Sequence, residues 1–164
     1  MITLVLGGAR SGKSLVAEQL AGRLQPPVTY VATAIVDPAD ADHLARIAIH
    51  RARRDASWVT VEANADLAAV LRAVEGSVLV DSLGTWVTAA ADLAPDVDAV
   101  LRALRERSGD TVVVSEEVGL GVHPSSDLGQ RFRDALGFVN RKVADIADEV
   151  LLVVAGRVLP LARP

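Results

Sequence analysis

The sequence predicts an α/β fold in which helices flank a mainly parallel β-sheet. A short apolar run over residues 1–6 leads into a glycine-rich segment, and a stretch with apolar residues at helical spacing follows it. Further short apolar runs then alternate with helical patterns, an order that is typical of parallel sheets. Near the end, Gly156-Arg157 separates two apolar runs and indicates a closing β-hairpin.

Each strand is predicted from a short apolar or alternating run, as buried strands of parallel sheets usually show. The predicted strands cover residues 1–6, 28–32, 58–62, 77–80, 111–114, 150–154 and 158–161. We find no internal repeat, no low-complexity segment and no flexible linker, so residues 1–164 are expected to form one catalytic domain.

The helices are predicted from apolar spacing and from residues that begin or end helices. The first covers residues 13–24 and is ended by Pro26-Pro27, whereas Asp37-Pro38 supplies an N-cap and first-turn pair for a helix reaching about Arg54. Residues 67–74 suit a third helix, and residues 89–95 are expected to form a loop. An apolar stripe marks a long helix near the end of the chain: Leu128, Phe132, Leu136, Val139, Val143 and Ile146.

Composition excludes several classes of function. With 17 basic and 21 acidic residues the net charge is −4, which gives the chain as a whole no reason to bind nucleic acid or an anionic membrane. No apolar run approaches the roughly 18 residues of a membrane span. Cysteine is absent, which removes disulfides and thiolate catalysis. We therefore expect a cytoplasmic protein without a membrane span.

The glycine-rich segment matches G-x-x-x-x-G-K-[ST] between a predicted strand and a predicted helix, which is the context that identifies a P-loop. It consists of Gly7, Gly8, Ala9, Arg10, Ser11, Gly12, Lys13 and Ser14. In such a loop, backbone N–H groups and the helix N-terminus bind phosphate oxygens. Lys13 is expected to reach the β- and γ-phosphates and Ser14 to ligate Mg²⁺, so the chain should bind ATP or GTP.

Acidic residues follow two of the other predicted strands. Asp81 ends the run at residues 77–80, where it would serve as a second Mg²⁺ ligand or as a simple helix cap. Glu116 and Glu117 follow residues 111–114 and should emerge at the same carboxyl edge of the sheet. Either could orient Mg²⁺ or a water, or both could lie in an ordinary solvated turn.

A cationic stripe lies on the helix predicted after Asp37-Pro38. His43, Arg46, His50 and Arg53 or Arg54 follow helical spacing that places them on one face. Arginines would attract a triphosphate and favour the neutral, nucleophilic form of a neighbouring imidazole, so His50 is a candidate covalent nucleophile. A solvated cationic face of an amphipathic helix is the alternative.

Several blocks of the sequence, in order, resemble those of one enzyme family. They are the P-loop, residues 30–34, Arg46-Ile47 with His50, Arg54 and Trp58, residues 60–62, 81–86 and 117–122, residues 131–134 with Gly137 and Asn140, and residues 147–150. Together they make nearly the whole chain similar to the bifunctional adenosylcobinamide kinase / adenosylcobinamide-phosphate guanylyltransferase family.

This resemblance implies two reactions late in cobalamin synthesis. The aminopropanol hydroxyl of adenosylcobinamide is phosphorylated by ATP or GTP, and GMP then passes from GTP through a histidine onto that phosphate. His50 would carry the GMP. The implied nucleotide contacts, besides the P-loop, are Ala32, Thr33, Ala34, Arg51, Ala52, Arg53, Arg54, Glu62 and Asp81. The resemblance also implies a RecA-like sheet, Mg²⁺ as cofactor and a homo-oligomer, with a trimer expected.

Two departures from the family pattern stand out. Glu116 occupies a position where the family usually has asparagine, and an added carboxylate near phosphate would repel the nucleotide unless Mg²⁺ or an arginine offsets it. The stretch between Asp81 and Thr111 is short and alanine-rich, which leaves the corrinoid contacts open.

Two other functions would use the same P-loop. One is a single-step small-molecule kinase that forms no histidine adduct, and the other is a regulatory module that binds nucleotide without chemistry. The residues alone do not decide between ATP and GTP in the kinase step, and they do not identify the general base for the cobinamide hydroxyl.

Overall fold

The computed structural model describes residues 1–35, 48, 52 and 55–163. Within this part of the chain the strands are β1 (Ile2–Gly7), β2 (Val28–Ala32), β3 (Val59–Glu62), β4 (Ser77–Asp81), β5 (Thr111–Glu116), β6 (Glu149–Val154) and β7 (Arg157–Pro160). The helices are α1 (Lys13–Ala21), α2 (Leu67–Ala73), α3 (Leu83–Ala89), α4 (Val97–Glu106) and α5 (Asp127–Ala144), with a 3₁₀ turn at Ala91–Leu93.

The strands form a 7-stranded sheet in the order β3-β2-β4-β5-β1-β6-β7. Every neighbouring pair is parallel except β6 and β7, which are antiparallel. The prediction of a mainly parallel sheet with a closing hairpin is therefore confirmed. None of the helices in the described residues is long and apolar enough to cross a membrane.

Side chains alternate between the two faces of the sheet, and each face carries its own apolar core. In β1, Leu4 points into the larger core, which also contains Trp86 and Leu136, whereas Val5 points into a smaller core with Ala17 of α1. Both faces of the central strands are thus covered, which explains why these strands appear in the sequence as unbroken apolar runs. The carboxyl edge of the sheet is left to form a site.

Several predicted boundaries need correction. The first helix ends at Ala21 because Gly22 forms its C-cap, three residues before the expected end. Leu128 does not join the buried stripe of α5: it lies in the first turn, past the edge of the core, and is 64% exposed. The hairpin turn is Ala155-Gly156, both with positive φ, and Arg157 already belongs to β7. A two-residue turn of this kind matches the twist of the strands.

The helix expected after Asp37-Pro38 lies almost entirely outside the described residues. Ala48 and Ala52 are the described residues of that segment, and both are helical and exposed.

Candidate active site

The ends of five strands bring the predicted functional residues to one edge of the sheet. Gly7 at the end of β1 is in register with Glu116 of β5, and Asp81 at the end of β4 is in register with Ala32 of β2. Glu62 at the end of β3 is opposite Ala32 on the other side. Ligands of open parallel sheets bind outside the carboxyl ends of their strands, which is where this edge lies.

The P-loop connects β1 to α1 in a conformation that requires glycine at positions 7 and 12. A Cβ atom at Gly7 would overlap Ser11 Oγ and lie 2.8 Å from the carbonyl oxygen of Val153. Gly12 has φ of 94°, in the left-handed region that disfavours other residues. The Ser11 amide donates to the Gly8 carbonyl at 3.3 Å, which closes the turn.

The loop is also bonded to the C-terminal hairpin. The Gly156 amide donates to the Ser11 carbonyl at 2.7 Å, and a Cβ at Gly12 would lie 3.4 Å from Gly156 Cα. These contacts place the β6–β7 turn directly against the phosphate loop.

Lys13 lies at the inner side of the loop, and its side chain is 12% exposed. Its Nζ is 3.4 Å from the Gly8 carbonyl oxygen and 3.5 Å from Oε1 of Glu116. Ser14 follows it in the first turn of α1 and is half-buried, whereas Ala9 and Arg10 at the tip of the loop are exposed. The lysine is therefore held at the mouth of the loop, where a bound phosphate would lie.

Glu116 does not lie in a solvated turn. Its carboxylate accepts hydrogen bonds from Ser82 Oγ at 3.0 and 3.1 Å and from the Gly84 amide at 3.1 Å. A Cβ at Gly84 would overlap this carboxylate, so the close approach requires glycine. The Oε1 atom of Glu117, one residue later, accepts a hydrogen bond from the Gly119 amide at 2.7 Å.

Asp81 accepts a hydrogen bond from the Tyr30 hydroxyl at 2.8 Å. It is not the cap of the following helix: Ser82 is the N-cap residue of α3, and its amide donates to Thr85 Oγ1 at 3.2 Å. Asp81 is partly exposed at the end of β4, at the carboxyl edge of the sheet.

Comparison with known proteins decides the family. A family model described as cobinamide kinase / cobinamide phosphate guanyltransferase matches residues 3–161. The chain belongs to this family. The predictions of a cobinamide kinase and guanylyltransferase, and of a role in cobalamin biosynthesis, are thereby confirmed.

Two relatives match this chain over nearly their full length. The chain is 41% identical to the bifunctional adenosylcobalamin biosynthesis protein CobP of Pseudomonas aeruginosa over 98% of this chain and 97% of that protein. It is 36% identical to the CobU protein of Salmonella typhimurium, which carries the same description, over 95% and 97%.

A solved structure supports the fold. An ATPase from the type III secretion system of pathogenic bacteria superposes with a TM-score of 0.56 at 11% identity, over 92% of this chain and 50% of that one. This likeness concerns the P-loop α/β fold alone.

The remaining described residues that the family resemblance implies as nucleotide contacts differ in how far they are buried. Thr33 is fully buried, its hydroxyl donates to the Ser82 carbonyl at 2.6 Å, and the same oxygen accepts from the Ser82 amide at 2.9 Å. Ala32 and Ala34 on either side of it are half-buried, and Glu62 is exposed at the end of β3.

The cationic segment is not part of the described site. His43, Arg46, His50, Arg51, Arg53 and Arg54 lie outside the described residues, and Ala52 is exposed. Downstream of this segment, hydrogen bonds from the backbone and side chain of Ser57 lower the pKa of the Asp55 carboxyl.

The donor groups at this edge suit Mg²⁺. Among the described residues, no group of three His, Cys, Asp or Glu side chains could hold a metal ion on its own. Mg²⁺ is normally bound by one or two carboxylates together with substrate phosphates and waters, not by an all-protein cage. The hydroxyl of Ser14 and the carboxylate of Asp81 are oxygen donors of the kind it prefers.

Two residues that matter to the site were missed by sequence reasoning. Ser82 and Gly84 hold the carboxylate of Glu116, but neither carries a motif of its own. The sequence feature that could have identified them is their position shortly after Asp81, in a block that resembles the family.

Proposed function

We propose that this chain carries out both reactions of its family at the described edge of the sheet. In the first, ATP or GTP phosphorylates adenosylcobinamide; in the second, GMP passes from GTP through His50 to give adenosylcobinamide-GDP. The observation that carries the proposal is the P-loop with Lys13 at its mouth, next to the strand ends that bear Asp81 and Glu62, in a chain that matches the family over residues 3–161.

In the kinase step, the cobinamide hydroxyl oxygen forms a bond to the γ-phosphorus while the bond from that phosphorus to the bridging β–γ oxygen breaks. The hydroxyl loses its proton, and the nucleoside diphosphate leaves. Lys13 and the loop amides stabilise charge on the phosphate oxygens by electrostatic preorganisation. Mg²⁺, held by Ser14 and Asp81, would supply further neutralisation of that charge.

In the guanylyltransferase step, an imidazole nitrogen of His50 bonds to the α-phosphorus of GTP and pyrophosphate leaves. A phosphate oxygen of adenosylcobinamide phosphate then attacks the same phosphorus, and the P–N bond breaks. Covalent catalysis of this kind divides one difficult displacement into two easier ones. Ala32, Thr33, Ala34, Glu62 and the residues from Arg51 to Arg54 are the proposed contacts to the guanine nucleotide.

The proposal also covers the domain organisation, the cellular location and the oligomeric state of the protein. We assign the whole of residues 1–164 to one catalytic domain, place the protein in the cytoplasm and expect a homo-oligomer, specifically a trimer. The single domain is supported by the length of the chain and by the one sheet that joins all described strands. The oligomer is expected from the family resemblance.

The covalent intermediate gives the sharpest test. GTP labelled at the α-phosphate should label the protein and release pyrophosphate, and the adduct should be labile in acid and durable in base, as a phosphoramidate is. His50→Ala should abolish the label and retain kinase activity, because the P-loop is unchanged.

His43→Ala is the matched control, since His43 lies on the same predicted helix face two turns earlier. It should keep the label. If His43→Ala removes the label and His50→Ala keeps it, the nucleophile is misassigned. If the wild-type protein transfers GMP to cobinamide phosphate but is never labelled, the covalent mechanism through histidine is wrong. A protein that phosphorylates cobinamide and transfers no GMP would be a single-step kinase.

A further inference from the structure

Glu116 introduces a negative charge at the mouth of the phosphate loop. Its Oε1 is 3.5 Å from Lys13 Nζ, and the two side chains are only 28% and 12% exposed. Water therefore screens the pair less than it screens a surface ion pair.

The carboxylate is held in place independently of Lys13. Ser82 Oγ and the Gly84 amide both donate to it, and the absence of a side chain at Gly84 leaves the space that it fills. From behind, Asn140 Nδ2 donates to the backbone carbonyl of Glu116 at 3.0 Å. When Lys13 turns toward a phosphate, these contacts keep the carboxylate where it is.

A fixed carboxylate beside the lysine changes which form of a nucleotide is favoured. Lys13 attracts phosphate oxygens, and the carboxylate of Glu116, 3.5 Å from Lys13 Nζ, opposes that attraction. The repulsion grows with the negative charge of the ligand. It is therefore greatest for a metal-free triphosphate and smaller when a divalent cation has neutralised part of that charge.

We propose that Glu116 is a specificity-determining and positioning residue of the phosphate site. It holds Lys13 at the loop in the absence of nucleotide, and it makes the site select a nucleoside triphosphate that carries a divalent cation over the same nucleotide without metal. This inference rests on the proposed binding of GTP at the P-loop.

The test compares the affinity of the full chain for GTP in excess Mg²⁺ with its affinity in EDTA, both measured by titration calorimetry. The Kd in EDTA divided by the Kd with Mg²⁺ is the selectivity ratio of each protein. Glu116→Gln removes the charge but keeps the size and an oxygen that can accept from Ser82. We expect this variant to bind metal-free GTP more tightly and the selectivity ratio to fall about tenfold, the scale of one charge interaction in a partly screened site.

Glu116→Asn, which removes the same charge with a shorter neutral side chain, should lower the ratio in the same direction. It also keeps the test decisive if Glu116→Gln does not fold. Glu117→Gln is the matched control, because it removes the neighbouring carboxylate, which bonds to Gly119 and not to Lys13. Its ratio should equal that of the wild type.

Two outcomes would overturn the inference. If both neutral variants weaken GTP binding equally with and without Mg²⁺, Glu116 is only structural. If Glu117→Gln lowers the ratio as much as Glu116→Gln, the effect is one of net charge. A wild-type protein that binds no GTP even with Mg²⁺ would instead refute the proposed function and this inference with it.

Discussion

Asn140 connects the long helix α5 to the strand that carries Glu116. The residue is 6% exposed. Its Oδ1 accepts from Ser115 Oγ at 2.5 Å, and its Nδ2 donates to the Glu116 carbonyl at 3.0 Å. Asn140→Ala removes both hydrogen bonds, and the Ser115 hydroxyl that loses its acceptor is fully buried.

The cost of this substitution can be estimated from these contacts. A buried polar group deprived of its partner costs about 1–3 kcal/mol, and here a hydroxyl and a carbonyl each lose one. We expect Asn140→Ala to lower the free energy of unfolding by about 2–4 kcal/mol, allowing for partial rearrangement. Urea denaturation followed by circular dichroism would measure it.

Arg141→Ala is the control, because Arg141 is the next residue of α5, is exposed and has a helix propensity close to that of alanine. Its stability should stay within about 0.5 kcal/mol of the wild type. A loss below about 1 kcal/mol for Asn140→Ala would refute the reasoning. It would show that the Ser115 hydroxyl and the Glu116 carbonyl find other partners.

Two further predictions concern the nucleotide. Lys13→Ala should reduce the kinase rate by about 10² or more, because it removes a preorganised charge from the phosphates, and near-normal turnover would contradict that role. Glu62→Gln should weaken the preference for GTP over ATP in direct binding measurements, whereas Glu149→Gln, another exposed glutamate at the opposite edge of the sheet, should not. An unchanged preference in Glu62→Gln would refute the nucleoside contact.

The parts of the structure that sequence predicted are those with local causes. The strand–loop–helix at Gly7 to Ser14 is encoded by adjacent residues, and the structure has β1, the loop and α1 where the motif requires them. The predicted strands from β2 to β6 differ from the observed ones by at most two residues at either end. Gly22 ended the first helix early because a glycine C-cap competes with the apolar spacing that continues to Leu24.

The parts that sequence could not predict depend on contacts between distant segments. Nothing around Glu116 shows that β5 lies beside β1, so its pairing with Lys13 became visible only through the order of the strands. Thr33 belongs to a family block, but its hydroxyl is used inside the fold against Ser82. The exposure of Leu128 likewise depends on how far the core extends along α5, which apolar spacing does not reveal.

The bond between Gly156 and Ser11 sets an order of events during synthesis. The phosphate loop is synthesised before the hairpin turn that braces it, and more than a hundred residues separate the two. A nascent chain therefore contains the complete glycine motif long before it contains the β6–β7 turn that the motif contacts in the folded protein. We therefore expect the phosphate loop to reach its nucleotide-binding conformation only after β6 and β7 have joined the sheet.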